Sequence, residues 1–200
     1  NTPGSSLANA DAVTVPRGIG AVDAEGGFAL AGVTTNQYGG NNMRGGATDG
    51  RGNYWGAGAS SGTFYFGDGP TNTIQDVVAN SVAIEDLGGN LYFSTGKSTP
   101  GIWKISGEPT APAAASIFIT SGFSKASPCA FAFNTNSTIA YIADDSTKGP
   151  GGVPHWNFND GAWAMTYAFP SLTHIGARGI AMNFSGAHPV IYATPAGDSE

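Results

Sequence analysis

Cysteine is almost missing from this chain: Cys129 stands alone, so neither an intrachain disulfide nor a thiolate metal cluster can be assembled. Its setting, "SPCAFAF", alternates apolar residues, the pattern of a buried, inert thiol rather than a nucleophile. Charge is scarce as well, at 11% of 200 residues against a usual ~25%. The eight basic residues are scattered and the net charge is −6, so the basic stripe that nucleic acid requires is absent and no nucleic-acid partner is expected. No apolar run approaches the ~20 residues of a membrane-spanning helix, and no membrane span is expected. Helix signals are equally thin, because "PTAPAAAS" flanks its alanines with prolines and reads as a loop.

What is plentiful is glycine, with 31 residues, about twice the ordinary share, together with 40% apolar residues and many Ser, Thr and Asn. Highly charged disorder is thereby excluded, and short strands joined by tight turns are favoured. The chain reads as all-β. Five segments repeat one unit of small or apolar residues, a polar turn and a second apolar strand: "IGAVDAEGGFALAG", "GGATDGRGNYWGAG", "SVAIEDLGGNLYFSTG", "CAFAFNTNSTIAYIAD" and "GIAMNFSGAHPVIYAT". They are anchored on Ala21, Ala47, Ala83, Ala132 and Ala181.

Each unit predicts a β-hairpin, and three are followed by a second strand pair: "TFYFG" with "TIQDVVA", "GIWKISG" with "ASIFITS", and "VPHWNFN" with "AWAMTYAF". Two hairpins per repeat predict a β-propeller-like array of four-stranded antiparallel blades. A β-sandwich competes but gives no reason for the repetition. The repeat units are placed near 17–32, 44–79, 80–120, 127–169 and 177–194, within a single repeat domain over 1–200. Small residues on the inner strands are expected to let neighbouring sheets approach.

The segments "VPRGIGAVDAEGG", "NNMRGGATDGRGNYWGAG", "LYFSTG", "SPCAFAF", "IAYIADD" with "VPHWNF", and "ARGIAMNFSGAHPVIYAT" resemble a group of uncharacterised exported bacterial proteins, some with carboxy-terminal sorting signals. The resemblance runs from about residue 14 to 194. It implies a propeller fold and an extracellular or cell-surface location, and transfers no catalytic residues. Beside such proteins the chain reads as an incomplete part of a larger propeller, about four to five blades' worth, cut at both ends.

Candidate chemistry is sparse. Gly58-Ala59-Ser60-Ser61-Gly62 matches G-x-S-x-G, but a strand follows where a nucleophile elbow needs a helix, so a hairpin turn is the favoured reading. His155, His174 and His188 lack the spacing that puts two imidazoles on one helical face. Trp156, flanked by polar residues in "PHWNFND" at an expected loop or edge, is the best candidate for stacking on a sugar, with His155 and Asp160 beside it. Asp144 and Asp145 are candidate Ca2+ ligands, although turn closure explains such residues more simply, and no cofactor is required. Asn136 and Asn183 begin N-x-S/T sequons and are candidate glycosylation sites.

Two functions follow. The first is a non-enzymatic extracellular module for binding, adhesion or structural assembly, with glycan, matrix or a second copy as partner. The alternative is a metal-dependent propeller hydrolase or lactonase whose ligands are Asp23, Asp49, Glu85, Asn134 and Asn183, at roughly matching repeat positions. If those side chains converge, the enzyme gains; if they cap turns, it loses.

Overall fold

The computed structural model describes residues 6–67, 69–147, 151–169, 175–186 and 188–197. It is an all-β structure, with a short 3-10 turn at Leu7–Asn9 and no α-helix among the described residues. Among the described residues sixteen strands form five sheets that follow the order of the five repeats along the chain. The first sheet pairs β1 (Arg17–Val22) with β2 (Phe28–Thr34). The second is a four-stranded meander of β3 (Met43–Thr48), β4 (Tyr54–Gly58), β5 (Thr63–Phe66) and β6 (Asn72–Gln75). The third holds β7 (Ser81–Asp86), β8 (Leu91–Thr95), β9 (Gly101–Ile105) and β10 (Ala115–Thr120). The fourth holds β11 (Pro128–Phe133), β12 (Ile139–Asp144), β13 (Pro154–Asn159) and β14 (Ala162–Ala168), and the fifth pairs β15 (Ala177–Asn183) with β16 (Val190–Pro195).

Two compact units divide the chain, residues 1–93 with 104–116 and residues 94–103 with 117–200, and the division runs through the third sheet. In the first unit, Ile19, Tyr38, Phe64 and Phe66 form a core with Ala31, Met43 and Tyr54 against it. In the second, Tyr141, Ala143, Val153 and Ala177 are joined by side chains that include Ala130, Ile180, Met182, Ile191 and Ala193. Burying a large apolar side chain contributes roughly 1.5–3 kcal/mol, so these clusters supply the main drive for sheet packing.

The turns follow from their residues. Asp160 and Gly161, with φ of 51° and 80°, make the two-residue hairpin between β13 and β14, where both positions need positive φ. Gly88 and Gly89, at 60° and 72°, do the same between β7 and β8. The G-x-S-x-G stretch is the link from β4 to β5, with Gly62 at φ 79° and its missing Cβ only 2.0 Å from the Gln75 carbonyl oxygen. Close approach between sheets also depends on glycine: a Cβ on Gly45 would stand 3.0 Å from the Val82 carbonyl oxygen and 3.1 Å from the Ile84 nitrogen. β3 therefore lies almost backbone to backbone against β7.

Candidate functional site

The repeat-position carboxylates and amides are bound to their own turns. Asp23 Oδ1 accepts from the backbone N–H groups of Glu25 and Gly27, at 3.1 and 2.6 Å. Asp49 Oδ1 accepts from those of Arg51 and Asn53, at 2.8 and 3.2 Å. Asn134 Oδ1 accepts from Thr138 and Ile139, at 2.8 and 2.9 Å, and Asn183 Oδ1 from Ser185 at 2.9 Å. In the turns of Asp23, Asp49 and Asn134 the side chain reaches the amide four residues ahead, the self-closing geometry that short polar side chains favour. The third hairpin differs, because its corresponding position is Leu87, bonded to Asn90 across the Gly88-Gly89 turn. Glu85 is then an ordinary β7 residue, half-buried, and burial pushes its carboxyl up to about 7.

A cluster of charge gathers beside the second turn. Arg51 pairs through Nε with Asp49 Oδ2 at 3.0 Å and through Nη2 with Glu108, while burial and then the neighbouring Glu108 carboxylate raise the Asp86 carboxyl above its ordinary range. The Asn53 side-chain amide, with the Arg51 and Asn53 backbone amides and the Arg51 guanidinium, holds Asp49 well below the usual carboxylate range. Among the described residues no group of three or more His, Cys, Asp or Glu is arranged to hold a metal ion.

Asp144 and Asp145 point to different tasks. Asp144 is buried at the end of β12 and accepts the Ser127 amide through both oxygens, at 3.1 and 3.0 Å, and the Ser146 amide at 2.9 Å. Burial nevertheless raises its carboxyl. Asp145 meets Arg178 Nε at 3.4 Å. Cys129 is buried beside them, its thiol donating to the Ser127 carbonyl at 3.5 Å, and burial pushes it up to about 12, so it stays protonated.

Trp156, His155 and Asp160 do not come together. The expectation of a loop or edge for Trp156 is corrected by its place in β13, a strand paired on both sides, where the ring is buried and offers no face to a sugar. His155 is its neighbour in the strand and turns into an aromatic stack, with ring centroids 4.5 Å from Tyr167 and 4.7 Å from Tyr141. Its Nδ1 shares a hydrogen bond with Thr166 Oγ1, and burial lowers its pKa. Thr166 is the extra residue of a β-bulge opposite this pair. Asp160 sits in the hairpin turn, four residues along. His188 is exposed, and His174 lies outside the described residues.

Asn136 lies in the turn between β11 and β12, and Asn183 ends β15 beside its turn. Thr138 Oγ1 donates to Asn136 Oδ1 at 2.9 Å, and Ser185 Oγ donates to Asn183 Oδ1 at 2.7 Å. The remaining tryptophans and tyrosines are mostly engaged: Trp55 is fully buried with Nε1 donating to the Pro109 carbonyl at 2.8 Å, and the Tyr38 hydroxyl donates to the Gly62 carbonyl at 3.1 Å.

The concave site that sequence reasoning missed lies in the first unit, a groove of about 680 Å³ along β1 and β3. Both are edge strands of their sheets, and Gly18, Gly20, Gly45 and Gly46 leave the walls low. Tyr54 and Thr48 stand at one end and Asn42 at the other. The two arginines on its border are committed elsewhere: Arg17 donates to the carbonyls of Leu7, Ala10, Val15 and Asn41, and Arg44 Nη1 donates to Asn80 Oδ1 at 3.0 Å. What remains is a lining of glycine-rich strand edges, the apolar side chains of Leu7, Val15, Ile19, Val22 and Met43, and one phenol ring. The glycine doublets were the available signal, but their spacing marks strand approach and a groove alike. No protein-family model and no curated protein matches this sequence.

Proposed function

We propose that the chain is a non-enzymatic, propeller-type module of an exported protein, binding a neutral glycan in the groove between β1 and β3 and taking part in extracellular assembly. The observation that carries this reading is the groove itself. Its volume falls inside the ~300–1,000 Å³ typical of ligand sites, its walls are two strand edges with apolar side chains, Asn42, Thr48 and the Tyr54 ring, and its arginines are spent on carbonyls and an amide, which leaves it without a free charge. Such a surface suits hydroxyl groups better than phosphate or carboxylate, and Tyr54 supplies a ring for the apolar face of a sugar. The turn-capping duty of Asp23, Asp49, Asn134 and Asn183 supports the non-enzymatic side, since those residues are the ligands a propeller hydrolase would need. Successive four-stranded meanders support the propeller reading, and the export reading rests on the resemblance of the quoted segments.

The test is retention of the protein on immobilised neutral polysaccharides, cellulose, chitin and β-glucan, compared with a Thr48→Trp variant. Thr48 is exposed at the groove's end, so the indole fills the site without entering the core. Retention of the wild type on at least one matrix, lost in the variant with an unchanged circular dichroism spectrum, is expected. Absence of retention on all three, or equal retention of the variant, overturns the proposal.

A further inference from the structure

β1 and β3 run side by side in the same sense. Arg17 at the start of β1 donates to the carbonyl of Asn41, just before β3, and further along Ile19 Cγ2 lies 3.6 Å from the Cβ position of Gly46. The groove between the two strands therefore has one end at Arg17 and Asn42 and the other at Val22, Thr48 and Tyr54.

The two ends are built differently. Residues 7–16 close the first, where Leu7, Ala8, Val15 and Pro16 line the groove. Arg17 fixes that segment, donating through Nη2 to the carbonyls of Leu7 and Ala10 at 3.0 and 2.8 Å and through Nη1 to that of Val15. The same Nη2 reaches the Asn41 carbonyl of the opposite wall at 3.1 Å. A guanidinium carries its donors in a fixed fork, so this one side chain ties both walls and the segment together. A second tie needs no arginine: the Gly40 amide donates to the Ala10 carbonyl at 3.0 Å, and Ala12 is buried with its Cβ 3.7 Å from the Cβ position of Gly39. Among the described residues no comparable segment lines the other end, where Thr48 is exposed. The groove is blind at Arg17 and open past Tyr54.

We infer that the groove takes the end of a linear neutral glycan chain rather than a stretch of its interior. This rests on the glycan reading of the groove and narrows it to a class of ligand. An interior stretch would have to leave past Arg17, through backbone that the guanidinium holds by the carbonyls of Leu7, Ala10, Val15 and Asn41. A terminal sugar stops there, and it carries a hydroxyl where an interior sugar has a glycosidic ether, which adds a hydrogen-bond donor. Asn42 is exposed at that end, and a carboxamide both donates to and accepts from a hydroxyl.

The experiment measures the saturating amount of protein bound by amorphous cellulose, chitin and β-glucan after graded acid hydrolysis, at constant polysaccharide mass, with chain ends counted by a reducing-sugar assay. On a matrix that retains the protein, bound protein is expected to rise in proportion to the number of ends, doubling when the ends double. A capacity that stays constant while the ends multiply overturns the inference and leaves the glycan reading standing. Absence of retention on all three matrices overturns both. Arg17→Met releases residues 7–16 and, once folding is checked by circular dichroism, is expected to bind with a capacity that no longer follows the ends. A folded variant that still follows them overturns the role given to Arg17, and should the variant not fold, the wild-type capacities alone decide.

Discussion

Glu85 is the residue whose chemistry departs furthest from what its repeat position suggests. Burial alone pushes its carboxyl up to about 7, because the half-buried site on β7 disfavours the charged form. A carboxyl raised in the folded state favours folding fully below the ordinary glutamate range, near pH 4, and that contribution is lost as pH rises through 7. Glu85→Gln keeps the shape and removes the charge. It is expected to melt with the wild type at pH 4 and several degrees above it at pH 8.5, a difference on the order of 3 kcal/mol. Equal melting at both pH values would show that ionising Glu85 costs nothing in the fold. The sequence aligned Glu85 with Asp23 and Asp49, and that alignment hid the environment. A turn that closes two residues later, at Leu87, leaves Glu85 in the strand instead of at a cap.

At the level of the element, hairpins and strand pairs were legible because alternation and turn residues are local. All five inner hairpins and all three outer pairs form where the pattern placed them. Trp156 was misplaced for a physical reason: polar neighbours look alike whether they lie in a loop or alternate across a strand paired on both sides. The G-x-S-x-G stretch gives a test of the turn reading. Gly62→Ala puts a Cβ into the Gln75 carbonyl at a positive φ and is expected to cost at least ~1–3 kcal/mol of stability. Ser60→Ala, in the same exposed link, should change stability by less than ~0.5 kcal/mol. Thermal denaturation of both variants decides, and a Ser60→Ala variant that melts like Gly62→Ala would sink the assignment of the strain to backbone.

For the whole molecule, the alternative of a metal-dependent hydrolase makes a prediction of its own, since a bound ion stabilises the folded state in proportion to its occupancy. Millimolar Ca2+ is expected to leave the melting temperature unchanged, because Asp49 and Asp144 already accept backbone amides and Arg51 neutralises Asp49 and Glu108. A rise of several degrees that Asp49→Asn abolishes would return the enzyme to first place. The sequence by itself determined the strand content, the repeat, the turn chemistry and the lack of a basic surface, all of which depend on residue type and short spacing. Tertiary structure alone decided that the groove lies between two glycine-rich strand edges and that the repeated Asp and Asn close their own turns. Those outcomes depend on which sheet lies against which, and that is fixed by close approach at Gly45 and Gly46 and by long-range side-chain packing, which no local pattern encodes.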